Sequence, residues 1–393
     1  MWNQLPEPAI LKVFTHLALS DRLSASQVCE EWSYAIYAPD IWRTFGCCFN
    51  SQSDSKYLKF IKEYGEFMEC LTLEVNQFEP SNRKICVSAI SLLKNLERRS
   101  LRKLRVKFTG QNPLFYAGTE FVKELECLLS HVPCDTDRKS NTLEVVDFGN
   151  LPVALDGTII SCLADNHRNL RKLDIQNGQL VNGIHPSSIL NLVKNCRSIS
   201  DLHIYKNSLS SDVLIELSKE NRAPLEHLST ISRSEERFLL DIPPGVWRNL
   251  GLRSPHLKVT MKFDHTCLIE NLTNVLMYEI PLTELWLESY TILHTDVVQK
   301  CFLFQDRLEK LVLITPLPKQ SDYFEETLMS LTDQLSKLRS LHVFTTIEED
   351  VKNHILERHR KLVERGSFTL RCHPGQQTWL PGHDCYDPPS HFF

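Results

Sequence analysis

The chain has 393 residues, of which 44 are lysine or arginine and 49 are aspartate or glutamate, so its formal net charge is -5. Apolar residues make up 42% and charged residues 24%, which is the composition of an ordinary folded protein with a sizeable core. A slightly acidic chain of this kind gives no support to a dedicated nucleic-acid-binding protein. At roughly 150 residues per domain, the length predicts two or three domains or one elongated array.

Cysteine usage and the N-terminus indicate the compartment. The 13 cysteines are odd in number and form no C-x-x-C pair. Residues 1–4 lack the basic region that begins a secretory signal. We therefore expect reduced thiols and a cytoplasmic or nuclear protein. No uninterrupted apolar run approaches the roughly 20 residues that span a bilayer, so we expect no membrane partner.

The first 42 residues contain two short stripes of apolar residues at helical spacing. Leu5 and Pro6 predict an extended start, because the residue before a proline disfavours helix. At helical spacing, one stripe contains Ile10, Val13, Phe14 and Leu17, and the next contains Ala25, Val28, Cys29 and Trp32. Ser20 and Asp21 predict the start of the second helix. A module this small usually needs a partner to be stable.

This opening segment resembles an F-box. The residues that carry the resemblance are Leu5, Pro6, Ile10, Leu11, Phe14, Leu17, Asp21, Val28, Cys29, Trp32 and Trp42. One departure is Pro8, where F-boxes usually carry an acidic residue; Glu7 is adjacent. The resemblance implies an all-helical domain over residues 1–48 that docks on the Skp-type adaptor of a cullin–RING ubiquitin ligase. The adaptor contacts that it implies are Leu5, Pro6, Ile10, Leu11, Phe14, Val28, Cys29, Trp32 and Trp42. The alternative is that these apolar residues form only a small internal core, and both can hold.

From residue 68 onward, a strand pattern of the form apolar-x-x-apolar-x-apolar recurs. Its copies begin at Met68, Leu101, Leu143, Leu170, Ile199, Leu225, Leu282, Leu308 and Leu338, with a weaker copy at His256. The mean interval of about 30 residues lies just beyond the 20–29 residues of a leucine-rich repeat. Helical stretches such as 189–196 separate the copies. The pattern predicts an α/β fold, with a leucine-rich-repeat solenoid over residues 60–372 whose curved parallel sheet is flanked by outer helices.

The whole chain resembles the family of F-box and leucine-rich-repeat proteins, and most closely the group numbered eight. Besides the F-box, the resemblance rests on the segment 112–118 and on Trp379 and Pro381 in the tail. It implies a substrate receptor that binds the adaptor, and through it cullin, and holds an unidentified protein substrate for ubiquitination.

The strand residues that alternate with the apolar positions point to the opposite face of the sheet. Several of them are aromatic or charged, and aromatic residues are enriched at binding hot spots. The predicted substrate contacts are His203, Tyr205, Lys262, Trp286, Glu288, His342 and Phe344. The alternative is that the aromatic side chains pack on neighbouring strands or lie under the tail at 373–393.

A basic run lies between residues 94 and 107. Its members are Lys94, Arg98, Arg99, Arg102, Lys103, Arg105 and Lys107, with Glu97 as the one acid. Arginine forks match carboxylate and phosphate groups, so the run would suit an acidic or phosphorylated substrate. A charge run at a helix-to-strand junction is more often a solvated face.

The C-terminal part offers two further interpretations. Cys372-His373 and His383-x-Cys385 lack the usual zinc spacing, so we expect no metal. Residues 373–393 are rich in aromatics, which predicts a tail that packs on the last repeat near Phe368 and Leu370.

Neither a nucleotide-binding glycine motif nor a catalytic signature is present, so we expect no cofactor and no enzyme activity. The leading function is a substrate receptor. The second is an interaction scaffold whose F-box binds the adaptor without delivering a substrate, and an enzyme with an unrecognised site comes third.

Overall fold

A computed structural model of the chain describes residues 5–17, 19–110, 117–131, 142–179, 182–233, 241–267, 272, 274–288, 298–319 and 322–372. The chain divides into two compact units. The first comprises Met1–Val153 with Asn166–Leu170, and the second comprises Ala154–Asp165 with Arg171–Phe392. The predicted packing of the tail, the potential zinc ligands after Cys372 and the centre of the 112–118 segment lie outside the described residues.

The first unit opens with three short helices: α1 (Glu7–His16), α2 (Leu19–Ala25) and α3 (Glu30–Ala35). Pro6 is extended and precedes α1, as its sequence predicts. The prediction of one helix from Ser20 through Trp32 is wrong, because that segment is split between α2 and α3. Cys29 adopts an extended conformation (φ -157°, ψ 171°) that interrupts the helix.

A strand follows at once, and its existence was not predicted. After a 3-10 turn at Pro39–Trp42, β1 (Thr44–Phe49) pairs in parallel with β2 (Cys70–Val75). The strand thus begins inside the predicted F-box boundary at residue 48. The segment 49–55, which was predicted to be a polar connector, holds a capping box between Ser51 and Asp54 and leads into α4 (Lys56–Tyr64).

The remainder of the first unit alternates helix and strand. Its elements are α5 (Pro80–Lys94), β3 (Lys103–Phe108), α6 (Thr119–Ser130) and β4 (Val145–Asp147). Parallel strands pair in chain order, with Leu71 opposite Leu104 and Leu104 opposite Val146. These three side chains are fully buried, so the apolar positions of the repeat form one continuous core in this unit.

The second unit continues the same alternation. Its elements are α7 (Gly157–Asn166), β5 (Lys172–Asp174), α8 (Pro186–Asn195), β6 (Asp201–Tyr205), α9 (Ser211–Leu217), β7 (His227–Ser232), α10 (Pro244–Arg253), β8 (Lys258–Phe263), β9 (Leu282–Glu288), β10 (Lys310–Lys319), α11 (Asp322–Gln334), β11 (Ser340–Thr346), α12 (Glu349–Arg358), α13 (Arg360–Glu364) and β12 (Thr369–Cys372). Each of these strands pairs in parallel with the next one in the chain. In register, Leu285, Leu311 and Leu341 face the same buried layer.

The predicted fold class is confirmed: a helical opening is followed by parallel strands and intervening helices of the leucine-rich-repeat type. Each of the ten predicted strand positions carries a strand, and β1 and β12 are additional. Among the helices of the described ranges, none is long and apolar enough to cross a membrane.

Two adjacent residues at the start of β7 should respond differently to substitution, because His227 is exposed and Leu228 is buried. Leu228 is buried, so Leu228→Ala should lower the free energy of unfolding by about 2–5 kcal/mol. His227 points to the other face and is exposed, so His227→Ala should stay within about 0.5 kcal/mol of the wild type. Urea unfolding followed by circular dichroism measures both. Equal losses for the two variants would contradict the inward phase of Leu228.

Candidate functional site

The helical opening has its own small core. The ring of Phe14 meets that of Trp32 edge-on, with centroids 5.8 Å apart. Ile10 and Phe14 are buried. A side chain without accessible surface cannot touch a partner directly, so the predicted adaptor contacts by Ile10 and Phe14 are corrected: both belong to the core.

Arg22 joins this core to the turn that follows it. Its Nε donates to the carbonyls of Phe14 and Leu17, both at 2.9 Å, and its Nη1 donates to the carbonyl of Ile41 at 2.6 Å. Burial lowers the pKa of the guanidinium. Arg22 was not predicted to be a core residue, because its side chain is charged. The signal that could have identified it is its position, three residues before Ala25 on the predicted apolar stripe.

Trp42 is fully buried and fastens the helical opening to the first strand. Its indole stacks on Tyr64 with centroids 4.2 Å apart and planes 2° apart, and it also contacts Phe60 and Phe45. Its Nε1 donates to the carbonyl of Ile36 at 2.7 Å. The predicted adaptor contact by Trp42 is therefore corrected: this side chain belongs to the core.

Other F-box positions retain accessible surface. Pro6 and Val28 are exposed, whereas Leu5, Leu11, Cys29 and Trp32 are partly buried. Val28 is 66% exposed because it lies in the break between α2 and α3. These six residues are the ones of the predicted adaptor set that can reach a partner.

Three exposed side chains of this domain stand outside the predicted adaptor set. Tyr34 and Tyr37 are each 66% exposed, and Val13 is 37% exposed although its spacing predicted a buried position. Together with Val28 they make four of the eleven exposed large apolar residues among the described positions, all within residues 13–37. Apolar exposure is thus concentrated in the helical opening, as at an interaction surface.

In the second unit, Tyr205 is not available as a substrate anchor. It is buried, and its hydroxyl donates to Oδ1 of Asn177 at 3.1 Å. The guanidinium of Arg233 lies 5.6 Å from its ring centroid. Burial raises the pKa of the phenol to about 12. The alternative, that this aromatic packs within the fold, describes it correctly.

His203 lies between two carboxylates. Its Nδ1 is 3.0 Å from Oδ2 of Asp174, and its Nε2 is 2.7 Å from Oδ1 of Asp201. Burial alone would lower the pKa of His203, but the two carboxylates outweigh that effect and raise it to about 9. Burial likewise opposes ionisation of Asp201, yet His203 and Lys172 lower its pKa to about 2. The imidazolium is therefore charged and held in place at neutral pH.

Further along this face, aromatic and aliphatic side chains form a second, smaller core. Its members are Trp286, Val312, Ile314 and Phe344, and all four are buried. The ammonium groups of Lys262 and Lys310 lie 5.2 and 4.8 Å from the Trp286 ring centroid. Trp286 and Phe344, predicted as contact residues, are therefore corrected to core residues, because neighbouring strands cover them.

Two other predicted contacts also have internal partners. His342 is buried, with its Nε2 2.7 Å from Oγ of Ser340. A carboxylate oxygen of Glu288 lies 3.4 Å from Nδ1 of His265, and both side chains are largely buried. Of the predicted substrate set, His203, Lys262 and Glu288 are only partly buried, and the side chain of Glu288 is just 8% exposed.

The basic run is largely paired within the first unit. Lys94 pairs with Glu124, Arg102 with Glu144, Arg105 with Asp147 and Lys107 with Glu74. Arg99 is buried and donates to the carbonyls of Leu128 and His131. This pairing favours a structural role for the run over recognition of a phosphorylated substrate.

Candidate metal sites are absent from the described ranges: no three His, Cys, Asp or Glu side chains there are placed to hold an ion. The cysteines of those ranges are free thiols.

We expect Arg22→Ala to destabilise the first unit. The change removes the side-chain donor from the carbonyls of Leu17 and Ile41, and one of the two donors from the carbonyl of Phe14, which should cost about 2–4 kcal/mol of unfolding free energy. Arg43→Ala is the matched control, because Arg43 is exposed and its ion pair with Asp40 is a surface pair. Chemical denaturation measures both; equal stability of the two variants would contradict the role of Arg22.

The His203 pair predicts a pH dependence. The folded pKa of about 9 lies above the unfolded value of about 6.5, so the contribution is complete below pH 6.5 and is lost as the pH rises through 9. Unfolding free energies at pH 6.5 and pH 9.5 should therefore differ more in the wild type than in His203→Gln. Identical pH profiles for the two proteins would contradict the charged state of His203.

Comparison with known proteins agrees with this geometry. Residues 2–48 match the F-box-like family model. F-box/LRR-repeat protein 8 of Homo sapiens is 26% identical over 381 residues, which cover 96% of this chain and 97% of that protein. F-box/LRR-repeat protein 21 of Bos taurus is 26% identical over 298 residues, which cover 72% of this chain and 64% of that protein. The crystal structure of the Rad7 and Elc1 complex in yeast is slightly similar, with a TM-score of 0.40 and 15% identity. The match covers 94% of this chain and 93% of that chain. The resemblance to F-box and leucine-rich-repeat proteins is therefore confirmed: the chain opens with an F-box-like domain and is similar over almost its whole length to F-box/LRR-repeat protein 8.

Proposed function

We propose that this chain is the substrate-recognition subunit of an SCF-type E3 ubiquitin ligase. Its F-box-like domain docks on a Skp-type adaptor and through it on cullin, in the cytosol or the nucleus, and the repeats hold a protein substrate. The observation that carries the proposal is the concentration of exposed apolar side chains on a small domain that has its own buried residues, Ile10, Phe14 and Ala35. The chain itself performs no bond chemistry; it raises the local concentration of substrate lysines near the transfer enzyme.

The attachment of the helical opening supports this role. The Trp42 stack and β1 join the helices to the first repeat through a packed core. A packed joint of this kind fixes the helical opening against the first repeat.

The substrate contacts of the proposal lie on strands of the second unit. His203 and Lys262 keep accessible surface, so we assign substrate contact to them. Four buried side chains support this face from the inside: Tyr205, Trp286, His342 and Phe344. Glu288 lies 3.4 Å from Nδ1 of His265.

The adaptor contact predicts a specific loss of binding. Leu5→Ala with Pro6→Ala should abolish co-purification of the adaptor, because both residues are accessible and precede α1. The melting temperature should stay close to that of the wild type. Leu252→Ala is the control, since Leu252 is 76% exposed on α10, outside the F-box-like domain. Undiminished adaptor binding by the double variant would contradict the assigned contact.

The same double variant is suited to substrate trapping. Deleting residues 1–48 would remove Trp42 and most of β1, and with them part of the core of the first unit. A point variant that keeps the fold but loses the adaptor should accumulate substrate that the wild-type protein passes to ubiquitination. If the wild type binds adaptor and cullin but no bound protein becomes ubiquitinated, the chain is a scaffold instead of a receptor.

A further inference from the structure

The first strand of the first unit, β1, has one edge that the fold leaves open. The order of the described strands in the sheet begins with β1, and its partner is β2. The carbonyls of Arg43 and Phe49 accept hydrogen bonds from the N–H groups of Cys70 and Asn76. The odd-numbered residues of β1 therefore direct their backbone groups toward β2. The even-numbered residues direct theirs to the other side, where no described strand pairs with them.

This open edge consists of the backbone groups of Thr44, Gly46 and Cys48. Thr44 and Gly46 are exposed and Cys48 is partly buried, so solvent reaches the edge. Folded proteins usually protect such an edge with a charge, a proline or a covering element. The sequence of β1 is TFGCCF, which contains neither a charge nor a proline. A glycine within a strand often marks a place where another backbone approaches closely.

Aromatic rings of α4 flank the same edge. Because α5 packs on β1 and β2 and also on α4, α4 lies on the open side of β1. Tyr57, Phe60 and Tyr64 of α4 form one stripe at helical spacing, and all three are only partly buried. The ring centroids of Tyr57 and Phe49 are 5.9 Å apart, and those of Phe60 and Phe45 are 6.5 Å apart. A strand added at the open edge would thus place every second side chain against aromatic surface that is still accessible.

We propose that the open edge of β1 binds an extended segment of a partner protein as an added strand. Backbone groups of the segment pair with Thr44, Gly46 and Cys48, and its alternate apolar side chains rest on the aromatic stripe of α4. The inference goes beyond the proposed function and does not depend on adaptor binding.

A short extended segment fits this edge better than a second copy of the chain does. Three outward residues and three rings make a small contact, whereas a stable protein–protein interface takes about 20–30 residues from each partner. Backbone pairing provides affinity along a narrow track without a broad surface. Since the edge residues carry no charge, the segment is selected by apolar side chains at alternate positions.

The test uses the full-length chain and a fluorescent hexapeptide of the sequence KLRVKF. This is the sequence of β3, in which apolar residues alternate with basic residues that keep the peptide soluble. Fluorescence anisotropy should show saturable binding, and no saturable binding overturns the inference. Two versions of the peptide, N-methylated at one or the other set of alternate residues, are the peptide controls. One of them should lose binding and the other retain it, because an added strand directs only every second N–H toward the edge; equal affinities of the two overturn the inference.

Gly46→Pro and Gly46→Ala form the matched pair of variants. Gly46→Pro removes the outward N–H but leaves the pairing with β2, because proline is tolerated on an edge strand where its nitrogen faces solvent. It should weaken peptide binding by about tenfold or more. Gly46→Ala keeps the N–H, and its Cβ would lie more than 4 Å from every atom beyond its two neighbours in the chain. Its affinity should stay within about twofold of the wild type, and equal affinities of the two variants overturn the inference.

Two further measurements cover the other outcomes. If Gly46→Pro melts early, hydrogen exchange of the wild type decides: the peptide must protect the amides of Thr44, Gly46 and Cys48, and no protection there overturns the inference. Analytical ultracentrifugation of the wild type without peptide examines the other occupant. A dimer that Gly46→Pro dissociates would assign the edge to a second copy of the chain and overturn the inference.

Discussion

The stacking of Trp42 on Tyr64 is the contact on which the organisation of the first unit depends. A fully buried indole between the helical opening and α4 makes the two one packed structure, with β1 as the strand that continues it. Trp42 fills the core of the first repeat, so the orientation of α1–α3 on β1 and α4 is set by this packing together with the hydrogen bonds of Arg22 and of Trp42 Nε1.

A second constraint recurs between consecutive repeats. Backbone carbonyls at the C-terminus of a helix, and those in the loops between elements, have no partner within a helix. In the second unit, Arg222 donates to the carbonyl of Val193, Arg253 to that of Arg222, and Arg307 to that of Tyr278, at separations of 29, 31 and 29 residues. In the first unit, Arg99 donates to the carbonyl of Leu128, which lies 29 residues later in the chain instead of earlier. The spacing of about 30 residues seen in the strand pattern thus reappears in the hydrogen bonds, since each arginine reaches one repeat along the chain.

The strands were predictable because each copy of the pattern buries its own leucines, and burial on a strand has a period of two. β1 carried the same signal, with Trp42, Phe45 and Cys47 at the spacing of the other copies. The strand was missed because Trp42 also completes the F-box pattern. Trp42 was assigned to the F-box alone and not considered as the first residue of a strand pattern. The break at Cys29 was missed for a different reason: the stripe from Ala25 to Trp32 keeps helical spacing across it, and periodicity does not show where a backbone turns extended.

The strand face of the second unit was the least predictable part, because its properties arise between strands. Three members of the second core lie on three successive strands: Trp286, Val312 and Phe344. The residues next to each of them in the sequence do not indicate that the other two will cover it. His203 likewise owes its charge to Asp174, a residue 29 positions earlier that the register of β5 and β6 places opposite it. On this face, most polar and aromatic side chains have partners within the chain.

The F-box-like domain differs, because Val28, Tyr34 and Tyr37 remain exposed to water beside a buried core. Apolar surface left without an internal partner is the physical mark of an association site, and in the described chain it is most concentrated in the helical opening.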